Sequence, residues 1–254
     1  MFATFKLDLS GMDEDGFLLG KYYDVGEEIY NKQKSIVHES LDRYLSPEGV
    51  LQASQIEKEW FPMVKADVFL SHSHQDRDKA IMLAGYLQDM GISTFIDSCV
   101  WGYADDLLKE IDNTYSIQEK KPDGRCIYDY DTRNDSTAHV HMILNGALMK
   151  MMDSTECLMF MDTPNSLSTS DLKNGKTNSA WIYSELLMSE LLRKQIPIRK
   201  SYNESVMHDG LSVEYDVDIK HLIKLSFEEI SKVKLKGQRG KQALFEIYCT
   251  KNIK

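Results

Sequence analysis

Glu185 is the residue whose position in the sequence suggests chemistry most directly. A predicted helix carries Trp181, Glu185, Met188 and Leu192 on one face, so a carboxylate interrupts an otherwise apolar stripe. A carboxyl buried beside an aromatic ring has a raised pKa and few polar partners, which is costly unless the function uses it. The pattern makes Glu185 a candidate functional carboxylate. The common alternative is a partly exposed helix glutamate whose stem extends past Trp181.

Polar residues also follow the ends of predicted strands. Ligands of an open parallel sheet bind outside the carboxyl ends of its strands. The residues in that position are Ser71, His72 and Ser73 after the first strand, Asp97 and Trp101 after the second, and 162–166 after the third. Polar residues at a single strand end are typical of ordinary loops. The convergence of three such groups on one edge of the sheet predicts a binding site there.

Two predicted strands and the helix between them form the first part of that sheet. Residues 68–70 are a short apolar run typical of a strand, and 92–96 form a second run rich in β-branched residues. Between them, apolar residues recur at helical spacing from Arg77 until Gly91, which suits a left-handed helix cap. Strand, helix and strand within about 30 residues predict a βαβ unit with parallel strands and a right-handed crossover.

The same alternation returns further along the chain. Residues 157–161 predict a buried strand that ends in polar residues, and 180–194 predict a helix with Asn178 or Ser179 as its N-cap. A short strand is predicted at 196–198. Together these elements indicate an α/β protein built on a parallel sheet.

The remaining segments define the predicted domain organisation. Residues 1–62 have too few regularly spaced apolar residues for a core of their own, which predicts a helical N-terminal extension packed on the main domain or on a second protomer. The main domain spans 63–200 and contains a polar, turn-rich insertion or mobile loop at about 113–137. Residues 201–254 are predicted to be a C-terminal addition that packs on the main domain.

Composition and missing motifs exclude several classes of protein. The formal net charge of −10 argues against nucleic acid as a partner. No apolar run approaches the ~18 residues of a membrane span, and the first eight residues show no apolar h-region behind positive charges, so we expect a soluble, cytoplasmic protein that does not contact membranes. The scattered cysteines disfavour a zinc ribbon or a disulfide framework. G-x-G-x-x-G, P-loop and G-x-S-x-G motifs are missing from the sequence, which disfavours dehydrogenases, P-loop NTPases and serine hydrolases.

Two histidine pairs raise a metal-binding alternative. His72 with His74, or His139 with His141, could clasp a metal together with an aspartate if the pair lay on a strand. However, His139 and His141 are predicted on a helix, where residues i and i+2 diverge, and His72 and His74 are predicted in a loop. We therefore predict no metal site.

Four stretches of the sequence, taken in order, resemble a bacterial Toll/interleukin-1 receptor (TIR) domain. They are 67–76 (DVFLSHSHQD), 83–87 (LAGYL), 91–97 (GISTFID) and 179–186 (SAWIYSEL). The order of the four is more informative than any one of them. The most specific feature is a tryptophan followed four residues later by a glutamate. The resemblance covers about half of the chain.

This resemblance implies a fold, an activity and a set of site residues. The implied fold is a flavodoxin-like parallel sheet with helices on both faces. The implied activity is cleavage of the nicotinamide–ribose bond of NAD in antiphage defence, as in Thoeris systems, with NAD as substrate, no bound cofactor, and Glu185 as the catalytic residue. The residues expected to bind NAD around it are Ser71, His72, Ser73, Asp97, Trp101 and Trp181.

Two functions stay open at this point. The first is an NAD-consuming enzyme that releases nicotinamide together with ADP-ribose, or with a cyclic or modified ADP-ribose signal that a downstream effector senses. The second is a non-enzymatic TIR module that recruits signalling partners through self-association. In both cases we expect a homo-oligomer. The choice among ADP-ribose products depends on the closed pocket, which residue spacing does not specify.

Overall fold

Residues 1–12, 16–34, 44–45, 51–167, 175–192, 215–217 and 219–253 are described by a computed structural model. The chain divides into two compact units. The first unit comprises Met1–Gln33, Val64–Ser98 and Met151–Lys254, and the second comprises Lys34–Met63 and Cys99–Lys150. The second unit is therefore formed from two segments that interrupt the chain of the first.

Strands and helices alternate along the described chain. The first elements are β1 (Ala3–Asp8), α1 (Gly16–Lys34), α2 (Ala53–Trp60), β2 (Val68–Ser71), α3 (Arg77–Asp89), β3 (Thr94–Ile96), α4 (Ser98–Tyr115), β4 (Ile117–Lys120) and β5 (Cys126–Tyr128). The chain continues with α5 (Tyr130–Ser154), β6 (Cys157–Asp162), β7 (Gly175–Thr177), α6 (Ala180–Leu191), β8 (Tyr215–Val217), β9 (Ile223–Ser226), α7 (Phe227–Leu235) and α8 (Gly240–Thr250). A short 3-10 helix, His74–Asp76, precedes α3.

A five-stranded parallel sheet is the centre of the first unit. Its strand order is β3-β2-β6-β1-β9, and every neighbouring pair is parallel. All four residues of β2 are buried, as are five of the six in β6. Parallel strands covered on both faces have this near-continuous apolar character. The predicted α/β class is confirmed: helices flank a parallel sheet, in a fold consistent with the flavodoxin-like architecture.

The amino-terminal strand corrects the predicted helical extension over 1–62. β1 lies inside the sheet, hydrogen-bonded to β6 on one side and to β9 on the other. Ala3, Phe5 and Leu7 are almost completely buried, so the segment is part of the core. The residues that pair with β1 lie more than 100 residues away in the sequence: Ala3 pairs with Cys157, and Phe5 pairs with Ile223. A six-residue strand that pairs only with such distant residues is difficult to recognise from the sequence around it.

Two glycines allow α1 and α3 to approach each other closely. A Cβ atom at Gly85 would lie 1.9 Å from the backbone oxygen of Tyr22, and one at Gly26 would lie 1.8 Å from the backbone oxygen of Ile81. Real Cβ atoms do not come that near to a backbone atom, so glycine is required at both crossing points. The close contact fixes α1 against the first helix of the predicted βαβ unit.

In the second unit, the structure corrects the predicted insertion at about 113–137. This segment contains the end of α4, an antiparallel hairpin of β4 and β5, and the start of α5. Gly124 turns the hairpin with a φ of 85° and donates its backbone N–H to the carbonyl of Lys121. The carboxyl of Asp112 accepts hydrogen bonds from Ser136 and Arg133, both on α5. The polar, turn-rich residues of this segment form a hairpin that connects α4 to α5, in place of the predicted mobile loop.

The described end of the chain corrects the predicted C-terminal addition. β9 is the edge strand of the central sheet, and the helices α7 and α8 follow it. This part of 201–254 therefore completes the sheet instead of packing on a finished domain. The strand predicted at 196–198 lies outside the described residues. Among the helices that the structure describes, none has the length and apolar character needed to span a membrane.

Candidate active site

The candidate site lies at the carboxyl-end edge of the sheet, where the strand order reverses. From β2 the chain passes to β3 on one side, and it later places β6 on the other side of β2. Such a switch point opens a crevice at the carboxyl ends of adjacent strands, which is where doubly wound sheets bind ligands. Ser71 ends β2 and Asp162 ends β6, so both chain segments leave the sheet at this crevice.

The ends of three elements position the site side chains. His72 follows β2 directly, and Asp97 follows β3 directly. Glu185 lies in the second turn of α6. The first turn of that helix is capped by Ser179, whose hydroxyl accepts a hydrogen bond of 3.3 Å from the backbone N–H of Ile182. One of the two predicted N-caps, Ser179, is thereby confirmed.

Four predicted site residues form one buried polar network. Ser71, His72 and Asp97 have 0% exposure and Glu185 has 1%. The hydroxyl of Ser71 donates a 2.6 Å hydrogen bond to Oε2 of Glu185. Nδ1 of His72 lies 2.6 Å from Oδ1 of Asp97. Asp97 and Glu185 are close enough for the charge of Asp97 to act on Glu185, which joins these two contacts into a single network.

Burial dominates the proton affinity of both carboxyl groups. Removal from water disfavours the charged form, which raises the pKa of Glu185 and of Asp97 well above their ordinary values. The negative charge of Asp97 raises the pKa of Glu185 further, while the Ser71 hydroxyl opposes the shift. At Asp97, the contact with Glu185 and nearby backbone N–H groups favour the ionised form. Both carboxyl groups consequently bind a proton more tightly than they would in water.

His72 is a neutral member of the network. Burial lowers the pKa of its imidazole to about 4. Glu185, the Leu70 backbone and Asp76 favour the protonated ring, but they do not offset the loss of water. The 2.6 Å contact of Nδ1 with Oδ1 of Asp97 is therefore made by an uncharged ring at pH 7.

This arrangement can perform two kinds of chemistry. A carboxylate in a site without water stabilises positive charge far more strongly than it does in solution. A carboxylic acid in contact with a carboxylate can also pass its proton within the pair. The network thus offers carboxyl groups with raised pKa values that can donate a proton or, once ionised, stabilise a positive charge.

A second buried cluster at the same edge was not predicted from the sequence. Thr163 donates a 2.6 Å hydrogen bond to Oδ2 of Asp76, and the side-chain amide of Asn165 donates a 3.0 Å hydrogen bond to Oδ1. Asp76 is 2% exposed. These bonds tie the segment after β2 to the segment after β6 across the crevice. The available signal was the polar character of both strand ends, which did not specify the pairing.

The other predicted site residues are not part of the buried network. Ser73 caps the short 3-10 helix, because its hydroxyl accepts a hydrogen bond from the backbone N–H of Gln75. Trp181 is partly exposed on α6, one turn before Glu185. Trp101 is partly exposed on α4 and belongs to the second unit. The structure thus brings together Ser71, His72, Asp97 and Glu185.

Comparisons with known proteins give no family assignment. No family model, curated protein or solved structure matches this chain.

The structure also bears on the metal-binding alternative. His139 and His141 lie on the helix α5, where the side chains of residues i and i+2 point in different directions. Across the part of the chain that the structure describes, no group of three or more His, Cys, Asp or Glu residues is placed to hold a metal ion. The functional argument accordingly depends on the buried network.

Proposed function

We propose that this chain is a TIR-like enzyme that cleaves the nicotinamide–ribose bond of NAD, with Glu185 as its catalytic carboxylate. The observation that carries the proposal is the buried Glu185 carboxyl, held by Ser71 and in contact with Asp97 at the switch point of a parallel sheet. Once ionised in the opened site, a carboxylate held by the protein suits a reaction in which positive charge develops on the substrate. Departure of nicotinamide from NAD is such a reaction.

The proposed reaction has a simple balance of atoms and charge. The bond between ribose C1′ and the pyridinium nitrogen breaks, and both bonding electrons leave with nicotinamide, which becomes neutral. The ribose is left as an oxocarbenium ion, which a nearby carboxylate stabilises. Water then adds to C1′ and loses a proton, which gives ADP-ribose. A hydroxyl or amine that takes the place of water gives a cyclic or modified product with loss of the same proton.

The neighbouring residues have distinct roles in this proposal. Ser71 orients Glu185 through its 2.6 Å hydrogen bond. His72 holds Asp97 in place and contributes no charge of its own at neutral pH. Trp181, one helical turn before Glu185, would form the apolar wall beside the nicotinamide ribose. The Asp76 cluster keeps the two strand-end segments at a fixed separation.

The burial of Glu185 adds a conformational requirement. At 1% exposure the carboxyl is covered by protein, so a ribose reaches it only after the covering residues move. Opening of an active site by substrate binding or assembly is a common control step in enzymes. We propose that the described conformation is the resting form and that the site opens before NAD reacts.

Incubation of the purified chain with NAD tests the proposal. Chromatography should detect nicotinamide with the unsubstituted chain, and Glu185→Gln should reduce its release at least ~100-fold, because the stabilising charge is lost. Glu190→Gln is the matched control, since Glu190 lies on the same helix and is partly exposed. Equal turnover by Glu185→Gln would remove the basis of the assignment.

One observation favours a second candidate function. Complete burial of the Ser71, His72, Asp97 and Glu185 network also suits a polar core of a non-enzymatic module that acts by self-association. That candidate predicts a stable homo-oligomer by sedimentation and no nicotinamide release, even when the chain is forced to assemble. The enzyme proposal predicts release under at least the assembled condition, followed by NAD depletion or by a nucleotide signal in antiphage defence.

A further inference from the structure

The edge strand β3 has backbone groups bonded to a side chain of the helix α1. β3 pairs with β2 on one side and ends the strand order of the sheet on the other. The side-chain amide of Gln33 donates a 2.7 Å hydrogen bond to the carbonyl of Thr94, and its Oε1 accepts a 3.1 Å hydrogen bond from the backbone N–H of Ile96. The outward-facing backbone groups of an edge strand have no neighbouring strand to pair with. Gln33 therefore satisfies two backbone groups that β2 does not.

These two hydrogen bonds follow the pattern of a parallel ladder. In a parallel pair of strands, a residue donates to the residue before its partner and accepts from the residue after it. Gln33 does the same around Phe95, because Thr94 precedes Phe95 and Ile96 follows it. The amide of one side chain thus takes the place that a sixth strand would have beside β3.

The place of Gln33 affects the candidate site because β3 leads directly into Asp97. β3 has three residues, and Gln33 bonds to the first and the last of them. Asp97 follows Ile96, and its Oδ1 lies 2.6 Å from Nδ1 of His72. The backbone N–H of Asp97 donates a 3.4 Å hydrogen bond to the carbonyl of Leu70. A displacement of Ile96 would therefore also move Asp97 away from His72.

We propose that Gln33 is a positioning residue of the candidate site, which holds the end of β3 and thereby keeps Asp97 against His72. Gln33 acts through the backbone of β3 and not through contact with a substrate. Small errors in the placement of a group in an active site can lower a rate by up to ~100-fold. The effect of Gln33 on catalysis rests on the proposed function, whereas its effect on Asp97 does not.

Hydrogen exchange of single backbone amides tests the strand-like role of Gln33. Gln33→Met keeps the length of the side chain and removes both hydrogen bonds. Exchange of the Ile96 N–H should become at least ~10-fold faster, because that group loses its acceptor. The N–H of Phe95 points to the opposite side, towards β2, and its exchange should change by less than ~2-fold. Gln88→Met is the matched control, since Gln88 is an exposed glutamine on α3, and it should leave both rates unchanged. Equal changes at Ile96 and Phe95, or no change at either, would overturn the role of Gln33.

The ring nitrogen signals of His72, measured by NMR on the ¹⁵N-labelled chain without NAD, test the effect on Asp97. Gln33→Met should shift the Nδ1 signal, because Asp97 moves away from the ring. Gln33→Glu keeps an acceptor for the Ile96 N–H and loses the donor to Thr94, so it should give a smaller shift in the same direction. An unchanged Nδ1 signal in Gln33→Met would refute the positioning of Asp97. Thermal unfolding shows whether each variant is folded, and Gln33→Glu takes the place of a methionine variant that is not.

Nicotinamide release from NAD tests the consequence for catalysis. Gln33→Met should lower kcat by ~10–100-fold, and Gln88→Met should leave it unchanged. Equal kcat values for Gln33→Met and the unsubstituted chain would overturn the catalytic part of the inference. If the unsubstituted chain releases no nicotinamide, the proposed function fails, while hydrogen exchange and the His72 signal still decide whether Gln33 positions Asp97.

Discussion

His72→Asn should change the pH dependence of folding stability in a defined way. The imidazole is 0% exposed, and its pKa falls from 6.5 to about 4 on folding. The unfolded chain therefore binds more protons than the folded chain between these two values, and stability must fall as the pH is lowered through that window. Asparagine places a neutral polar group near the position of Nδ1 and does not titrate.

The size of this effect follows from the pKa change. One pKa unit corresponds to 1.36 kcal/mol, so a fall from 6.5 to about 4 is worth about 3 kcal/mol. His72 contributes this stability fully above pH 6.5 and loses most of it by pH 4.5. The raised pKa values of Asp97 and Glu185 act with the opposite sign, since a raised carboxyl pKa stabilises the fold at low pH. Both proteins keep these two carboxyl groups, so the difference between them reports mainly the titration of His72.

Urea unfolding at a series of pH values measures the difference. The unfolding free energy of the unsubstituted chain should fall by about 3 kcal/mol relative to His72→Asn between pH 7 and pH 4. If altered packing destabilises the variant by the same amount at every pH, its plot of unfolding free energy against pH is displaced but keeps the same slope. Parallel curves for the two proteins across this range would refute a buried, neutral His72.

Two further substitutions test packing and the second polar cluster. Gly85→Ala should lower the unfolding free energy by about 1–3 kcal/mol, because the added methyl group meets the α1 backbone. Gly20→Ala, on the exposed side of α1, adds a methyl group in open space and should raise the unfolding free energy by about 0.5–1 kcal/mol. Thr163→Val should lower the unfolding free energy by about 1–3 kcal/mol, because the buried Asp76 carboxyl loses a hydrogen-bond donor. Thr114→Val, at an exposed position, should change the unfolding free energy by less than about 0.5 kcal/mol. Thermal or urea unfolding measures each pair, and equal effects within a pair would contradict the assigned contacts.

The helices and strands that could be predicted are those whose own residues show a clear apolar pattern or a helix cap. The βαβ unit of β2, α3 and β3 follows from a helical stripe between two short apolar runs. The strand β6 and the helix α6 were likewise recognisable from their apolar residues and from the Ser179 cap. Elements stabilised by distant partners gave no comparable signal. β1 and β9 pair with each other although they are separated by most of the chain.

The candidate site was only partly predictable, for a related reason. Strand ends and one helix stripe placed Ser71, His72, Asp97 and Glu185 near one edge of the sheet. The contact between His72 and Asp97 depends on the strand order, which brings β3 beside β2. The neutral state of His72 depends on its complete burial, which residue types alone do not determine. Trp101 followed the same sequence rule, yet it belongs to the second unit.

Product analysis of the NAD reaction is the most direct test of the central claim. Mass spectrometry should detect nicotinamide and a nucleotide that lacks it in equal amounts when NAD is incubated with the unsubstituted chain or with Glu190→Gln. Neither product should appear with Glu185→Gln. Equal product from the Glu185 variant, or cleavage at the pyrophosphate in place of the nicotinamide–ribose bond, would contradict the assignment of Glu185 as the carboxylate that stabilises the ribose cation.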